Sequence, residues 1–121
     1  MDLGLQGKVA IINGGSKGIG KSSAVFLAEE GAEVGICARN QEGMDAAAKE
    51  VRDKTGKEIF TIPADTTKET DAQNFSQKCI EHFGHVDILI NCAGGSPGGT
   101  IDQITEADWM SSLNLKFMGY V

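Results

Sequence analysis

The amino-acid sequence predicts an α/β fold built on a doubly wound parallel sheet of about four strands with flanking helices. Three observations support this prediction. Short apolar runs rich in β-branched residues alternate with longer segments of helical periodicity. A glycine-rich turn separates the first apolar run from the first helical segment. None of the early connections has the two-residue turn of a β-hairpin, so neighbouring strands are expected to be parallel.

The first apolar run and its turn occupy residues 8–20, KVAIINGGSKGIG. Residues 9–12 lack polar alternation, which is typical of a strand covered on both faces of a sheet. Of the glycines that follow, Gly14 permits a sharp turn, Gly18 lets a ligand approach the backbone, and Gly20 lets the helix pack closely on the strand. The free N–H groups at the start of that helix predict a pyrophosphate site.

Two other interpretations of this turn stay open at this point. The stretch from Gly15 to Ser22, GSKGIGKS, also matches the Gly-x-x-x-x-Gly-Lys-Ser/Thr pattern of nucleoside triphosphatases. A tight strand-to-helix connection that binds nothing would use the same glycines. The units that follow decide between these interpretations.

The remaining elements alternate along the chain. Helices are expected over residues 20–30, 41–54, 66–83 and from 105 to the end, and strands over 32–38, 57–62 and 86–90. Pro63 ends the third strand because proline cannot continue a central ladder. Residues 93–99 form a glycine-rich loop at the carboxyl end of the fourth strand, where such folds bind ligands.

Side-chain patterns predict where two of the helices start and which face of the first helix is buried. Thr66-x-x-Glu69 and Thr105-x-x-Asp108 each have the spacing of a capping box at a helix start. The stripe of the first helix expected to face the sheet consists of Ile19, Ser23, Phe26 and Leu27.

Composition limits the class of protein. A chain of 121 residues forms at most one domain, here residues 1–121, and its net charge of -6 argues against nucleic acid as the main partner. No signal peptide or membrane span is evident, so a cytoplasmic protein is expected. Cys37, Cys79 and Cys92 are expected to be reduced and mostly buried, while His82 and His85 are expected to cap a helix or face solvent rather than bind a metal.

The end of the second strand carries the cofactor prediction. Dinucleotide folds commonly place a carboxylate there to bind both ribose hydroxyls, but this chain has Cys37-Ala38-Arg39-Asn40. Lys17, in the glycine turn, would reach the same ribose. Two cations in place of a carboxylate indicate a ribose 2′-phosphate, hence NADP rather than NAD. The alternative is a pair of solvated surface charges.

The chain as a whole resembles the short-chain dehydrogenase/reductase family. The resemblance rests on the glycine turn after strand one, Asp65-Thr66 after strand three and Asn91-Cys92-Ala93-Gly94 after strand four, with further support from residues 5–10 and from the spacing of Trp109 to Gly119. It implies a Rossmann-type sheet and removes the triphosphatase interpretation. It also implies an NADP(H)-dependent oxidoreductase that acts on a carbonyl or alcohol, such as a 3-oxoacyl thioester.

The resemblance also implies roles for individual residues. Asp65 would accept a hydrogen bond from the adenine amino group and the Thr66 backbone would meet the ring. Asn91, Ala93 and Gly94 would line the floor beneath the adenine ribose and help to hold the central sheet. The full set of expected cofactor-binding residues is Gly14, Ser16, Lys17, Gly18, Ile19, Gly20, Arg39, Asn40, Asp65, Thr66, Asn91, Ala93 and Gly94.

The sequence departs from the family pattern at four points. Asn13 stands in place of threonine, and Cys92 in place of a second asparagine. The register from Trp109 puts Lys116, and not Asn114, at the position of the family's catalytic asparagine. The catalytic Tyr-x-x-x-Lys pair is not found before Val121, so no catalytic residue is assigned and this chain alone is expected to be inactive.

Two descriptions of the chain follow from these departures. In the first it is the N-terminal, cofactor-binding half of the enzyme, truncated before the catalytic segment and paired with a second copy through its last helix. The alternative is a non-catalytic module that binds a nucleotide or a partner subunit through the same apolar helix.

Overall fold

The structure is a computed structural model that describes residues 2–94 and 98–121. The strands are β1 (Val9–Asn13), β2 (Glu33–Ala38), β3 (Phe60–Pro63) and β4 (Ile88–Asn91), and the helices are α1 (Gly18–Glu29), α2 (Gln41–Thr55), α3 (Glu69–Phe83) and α4 (Glu106–Lys116), followed by a 3₁₀ turn (Met118–Tyr120). All pairings are parallel, in the order β3-β2-β1-β4. The predicted parallel α/β sheet is therefore confirmed.

The two apolar layers explain why the sheet is doubly wound. Ile12 faces α1 and α2, in a cluster with Val34, Ile36, Met44 and others. Its neighbour Ile11 points to the opposite face, where α3 covers the sheet. Because successive side chains of a strand alternate between faces, an unbroken apolar run is required wherever both faces are covered. Each fully buried isoleucine or methionine contributes about 1.5–3 kcal/mol.

The face of α1 differs from the prediction. Ile19 is 79% exposed and Phe26 is 65% exposed, so the predicted stripe is wrong for both. The buried residues include Gly20, Ala24 and Ala28, which lie four apart on one face of the helix. Small side chains allow α1 to lie close to the sheet, and that close approach turns the larger ones outward.

The start of α3 also differs. The helix begins at Glu69, and Thr66 makes no capping bond to it. The turn is instead closed by Asp65, whose Oδ1 accepts hydrogen bonds from the backbone N (3.0 Å) and Oγ1 (2.6 Å) of Thr67. These bonds hold residues 65–67 in a turn, and the N-cap of the helix is therefore Lys68 rather than Thr66. The capping box predicted at Thr66 is therefore wrong.

The last helix begins as predicted and ends earlier. The Thr105 hydroxyl accepts from the backbone N of Asp108 at 3.2 Å, and the carboxylate of Asp108 accepts from the Thr105 backbone at 3.0 Å, so this capping box is confirmed. The helix stops at Lys116, and the 3₁₀ turn then brings the Tyr120 hydroxyl to the carbonyl oxygen of Ala93. The last residues thus fold back over the end of β4.

Candidate functional site

A cavity of about 1050 Å³ lies at the carboxyl ends of the strands. All predicted site residues line it except Asn91; the lining comprises Gly14, Ser16, Lys17, Gly18, Ile19, Gly20, Cys37, Ala38, Arg39, Asn40, Gln41, Gly43, Ala64, Asp65, Thr66, Cys92, Ala93, Gly94 and Leu115. The register explains the convergence, because Asn13 at the end of β1 pairs with both Cys37 and Asn91. The strands therefore end at one level, and the loops that follow them meet.

The glycine turn is too tight for side chains at two of its positions. A Cβ at Gly14, whose φ is +72°, would come within 2.5 Å of the backbone N of Ala93, and one at Gly20 would overlap the Gly14 carbonyl oxygen. Gly18, with φ +60°, has nothing within 4 Å of its Cβ position. Gly14 and Gly20 therefore shape the turn, while Gly18 leaves open space on the cavity side.

The start of α1 retains its positive pole. Lys17 is its N-cap and makes no side-chain capping bond, and the first turn of the helix holds no acidic residue. Each of the helices α2, α3 and α4 has at least one acidic residue in its first turn. A helix start with free N–H groups and an uncompensated dipole is the kind of position at which proteins bind anions.

Asn13 joins β1 to the loop after β4. Its side chain is buried, and its Oδ1 accepts from the backbone N of Cys92 and of Ala93, both at 2.9 Å. Its Nδ2 donates to Oδ1 of Asn91. Asn91 therefore supports the loop through Asn13 and lies outside the cavity lining, whereas Ala93 and Gly94 are held at the cavity wall.

The cavity carries both signs of charge in separate places. Lys17 and Arg39 both line it. After β2 the sequence has Arg39 and Asn40 in place of a carboxylate, and the Asn40 side chain caps α2 by accepting from the backbone N of Gly43 at 3.2 Å. Asp65 lies beyond the end of β3. Hydrogen bonds from Thr67, and less strongly the charges of Arg39 and Lys68, hold the pKa of the Asp65 carboxyl below its usual range. Asp65 is therefore an ionised acceptor near neutral pH.

Lys21 takes no part in the cavity. Its Nζ lies 2.9 Å from Oε2 of Glu50 on α2, in a contact that ties the two helices together. A nucleoside triphosphatase loop needs this lysine at the phosphates. The geometry therefore agrees with setting the triphosphatase interpretation aside.

Several lining residues escaped the sequence prediction. Gly43 and Gln41 belong to the first turn of α2, and Ala64 follows β3. Their closeness to the end of a predicted strand is the sequence feature from which they could have been predicted as lining residues. Leu115 on α4 had no such signal, because the return of α4 to the cavity depends on the tertiary fold.

The remaining candidate groups lie apart from the cavity or are buried. His82 stacks on Phe60 with ring centroids 4.1 Å apart, and Nε2 of His85 lies 3.0 Å from a carboxylate oxygen of Asp87. Over residues 2–94 and 98–121, no cluster of three or more His, Cys, Asp or Glu side chains is arranged to hold a metal ion. In the same part of the chain, no helix has the length and apolar character to cross a membrane.

Comparisons with known proteins agree with this geometry. The hydroxynaphthalene reductase-like protein Arp2 of Metarhizium guizhouense is 39% identical over 114 residues, which are 92% of this chain and 42% of that protein. The Pseudomonas aeruginosa RhlG/NADP active-site complex matches with a TM-score of 0.87 at 34% identity, over 96% of this chain and 44% of that one. The NAD⁺-bound xylitol dehydrogenase matches with a TM-score of 0.89 at 28% identity, over 95% of this chain and 44% of that one.

The chain thus spans less than half the length of the relatives it matches. A family model described as short chain dehydrogenase matches residues 8–121. With its parallel sheet and glycine turn, the chain therefore belongs to the short-chain dehydrogenase family.

Proposed function

We propose that residues 1–121 are the N-terminal, NADP(H)-binding half of a short-chain dehydrogenase. The observation that carries this proposal is the pair of cations, Lys17 and Arg39, that line one cavity where a carboxylate would select an unphosphorylated ribose. A guanidinium binds a phosphate through two parallel hydrogen bonds, and a lysine adds a second charge. The relatives include both an NADP complex and an NAD⁺ complex, so the choice between cofactors rests on these side chains.

The other lining residues would bind the remaining parts of the cofactor. The N–H groups at the start of α1 would hold the pyrophosphate, with Gly18 leaving room for it and Ser16 and Ile19 flanking it. Asp65, as an ionised acceptor, would take a hydrogen bond from the adenine amino group beside the Thr66 backbone. Ala93 and Gly94 would form the floor of the site. When bound, the nicotinamide supplies or accepts the hydride.

The proposed reaction of the whole protein is hydride transfer between NADP(H) and a small carbonyl or alcohol, such as a 3-oxoacyl thioester. The name of the Metarhizium guizhouense relative, a hydroxynaphthalene reductase-like protein, supports reduction as the direction of this reaction. The catalytic Tyr-x-x-x-Lys pair would be supplied by the part of the protein that these residues do not include, so residues 1–121 alone are not expected to turn over substrate. A cytoplasmic location is part of the same proposal.

The last helix supports a second function of the same chain. Trp109, Met110 and Leu113 on α4 and Phe117 directly after it are all more than half exposed, as is Leu89 on the edge strand β4. An apolar surface of this kind is typical of a subunit interface. We therefore propose that α4 joins two copies in a homo-oligomer. In a non-catalytic module, this interface would be the principal function and the cavity would bind no dinucleotide.

The test is calorimetric binding of NADP⁺ and NAD⁺ to the wild-type chain and to Arg39→Asp. NADP⁺ is expected to bind more tightly, and Arg39→Asp is expected to weaken NADP⁺ binding by about 10- to 100-fold, because it removes a charge-assisted hydrogen bond and adds repulsion. NAD⁺ binding should change far less. Arg52→Asp is the matched control, since Arg52 pairs with Glu58 away from the cavity.

Three results would contradict the proposal. Equal or tighter binding of NAD⁺ by the wild type would refute the selection of NADP. An equal loss of NADP⁺ binding in Arg52→Asp would show that the effect is one of net charge. Failure of the folded chain to bind either dinucleotide would favour the non-catalytic module.

A further inference from the structure

Gly43 stands at a position of α2 where a side chain would strengthen the helix. It is the third residue of α2, and the side chain of the N-cap residue Asn40 accepts from its backbone N at 3.2 Å. A side-chain acceptor at this position completes such a cap by reaching back to the N-cap backbone, as Asp108 does at the start of α4. Glycine cannot make that bond, and inside a helix it is less favourable than any residue except proline. Helix stability therefore does not explain the glycine.

The backbone does not require glycine at this position either. Gly43 is not one of the glycines with a positive φ. A Cβ added to it would lie 3.5 Å from Cβ and 3.6 Å from Oγ of Ser16, and 3.9 Å from Cβ of Asn40, which are ordinary van der Waals distances. Gly14 and Gly20, by contrast, have no room for a Cβ. A methyl group thus fits at residue 43, and the reason for the glycine lies beyond the first carbon of a side chain.

The place of Gly43 in the cavity supplies that reason. Gly43 lines the cavity, and so do its nearest neighbours Ser16 and Asn40. Ser16 directly precedes Lys17 in the glycine turn, and Asn40 directly follows Arg39 after β2. Gly43 therefore lies between the two loop segments that carry the cations of the cavity, and its missing side chain leaves space between them.

We propose that Gly43 is a specificity-determining residue, because the absence of a side chain leaves the space in which the 2′-phosphate of NADP lies between the two cations. This inference rests on the proposed NADP site. A side chain longer than a methyl group, starting in contact with Ser16, would extend into this space and compete with the phosphate. NAD has a hydroxyl group in place of that phosphate and needs less room. The size of residue 43 therefore controls the binding of NADP far more than that of NAD.

The test is calorimetric binding of NADP⁺ and NAD⁺ to the wild-type chain and to two variants of residue 43. Gly43→Gln introduces a long, uncharged side chain that suits the third position of a helix. It is expected to weaken NADP⁺ binding by about 10-fold, which corresponds to the loss of one charge-assisted hydrogen bond to the phosphate. NAD⁺ binding should change little. Gly43→Ala adds only the methyl group that fits, so it should keep the preference of the wild type for NADP⁺.

Ala46→Gln is the matched control on the same helix. Ala46 is exposed, lies about one helical turn further along α2 and, unlike Gly43, does not line the cavity. The same glutamine at this position should leave the binding of both dinucleotides unchanged.

The outcomes separate this inference from the proposed function. If the wild type prefers NADP⁺ and Gly43→Gln keeps that preference, the inference is overturned while the proposed function stands. An equal loss of both dinucleotides in Gly43→Gln would overturn it too, since general damage to the site would be the cause. A lost preference in Gly43→Ala or Ala46→Gln would show that a change in α2, and not the space at residue 43, decides the choice. If the wild type binds neither dinucleotide, or prefers NAD⁺, both proposals fail.

Discussion

Replacing Asn13 by alanine should destabilise the fold through one backbone group in particular. Without the Asn13 side chain, the N–H of Cys92 still has the backbone carbonyl of residue 13 at 3.1 Å. The N–H of Ala93 has only Oδ1 of Asn13 as acceptor in the described part of the chain, at 2.9 Å. A half-buried N–H left without a partner costs about 1–3 kcal/mol, so we expect a loss of about 2 kcal/mol in the free energy of unfolding.

The assay is urea denaturation followed by far-ultraviolet circular dichroism. A loss of this size should lower the midpoint by about 1–2 M urea with an unchanged slope. Asn91→Ala is the matched control, because it removes the partner of Nδ2 but leaves both backbone N–H groups bonded to Asn13. It leaves the Nδ2 of buried Asn13 without this partner and should cost about 1 kcal/mol, half of the loss expected for Asn13→Ala.

Two results would refute this reasoning. If the free energy of unfolding of Asn13→Ala lies within about 0.5 kcal/mol of the wild-type value, the Ala93 N–H finds another acceptor, such as water. If Asn91→Ala costs as much as Asn13→Ala, the pair of asparagine side chains, and not the backbone groups, supplies the stability.

Two further predictions concern titratable groups. Burial raises the pKa of the Cys37 thiol to about 12 and that of Cys79 to about 11, so at pH 8 only about 10⁻⁴ to 10⁻³ of either thiol is ionised. Half-buried Cys92 should therefore be the first cysteine that iodoacetamide alkylates, and NADP⁺ should protect it. Equal labelling of Cys37 in the native state would contradict this prediction. Hydrogen bonds from Lys54 and then Lys21 hold the pKa of the Glu50 carboxyl at about 2. Because that pKa is lowered by folding, the stability from Glu50 is present above its ordinary pKa of 4.5 and is lost as the pH falls towards about 2. The difference in unfolding free energy between wild type and Glu50→Gln should therefore shrink over that range, and a difference that does not change with pH would count against the ion pairs.

Local chemistry explains what could be predicted from the sequence. An unbroken apolar run such as residues 9–12 is stable only with both faces covered, which indicates a parallel sheet before any contact is known. Gly14 and Gly18 have positive φ, a conformation that glycine adopts without strain, so the position of the turn was readable from residue type. The absence of a carboxylate after the second strand is equally local, and the NADP prediction that depends on it still awaits its binding test.

The tertiary structure decided the features that depend on distant residues. The face of α1 follows from how closely small residues let it approach the sheet, which overrode the apolar stripe at Ile19 and Phe26. Thr66 lost its capping role because the turn at residues 65–67 places the N-cap of α3 at Lys68, two residues later.

Contacts between residues far apart in sequence also form the end of the cavity that lies at β4. Pairing of β1 with β4, from residues far apart in sequence, brings Asn13 to the loop that holds Ala93. The return of α4 across that loop sets Lys116 against Gly94. Sequence periodicity describes one element at a time, so the strand order and the approach of α4 became known only from the assembled fold.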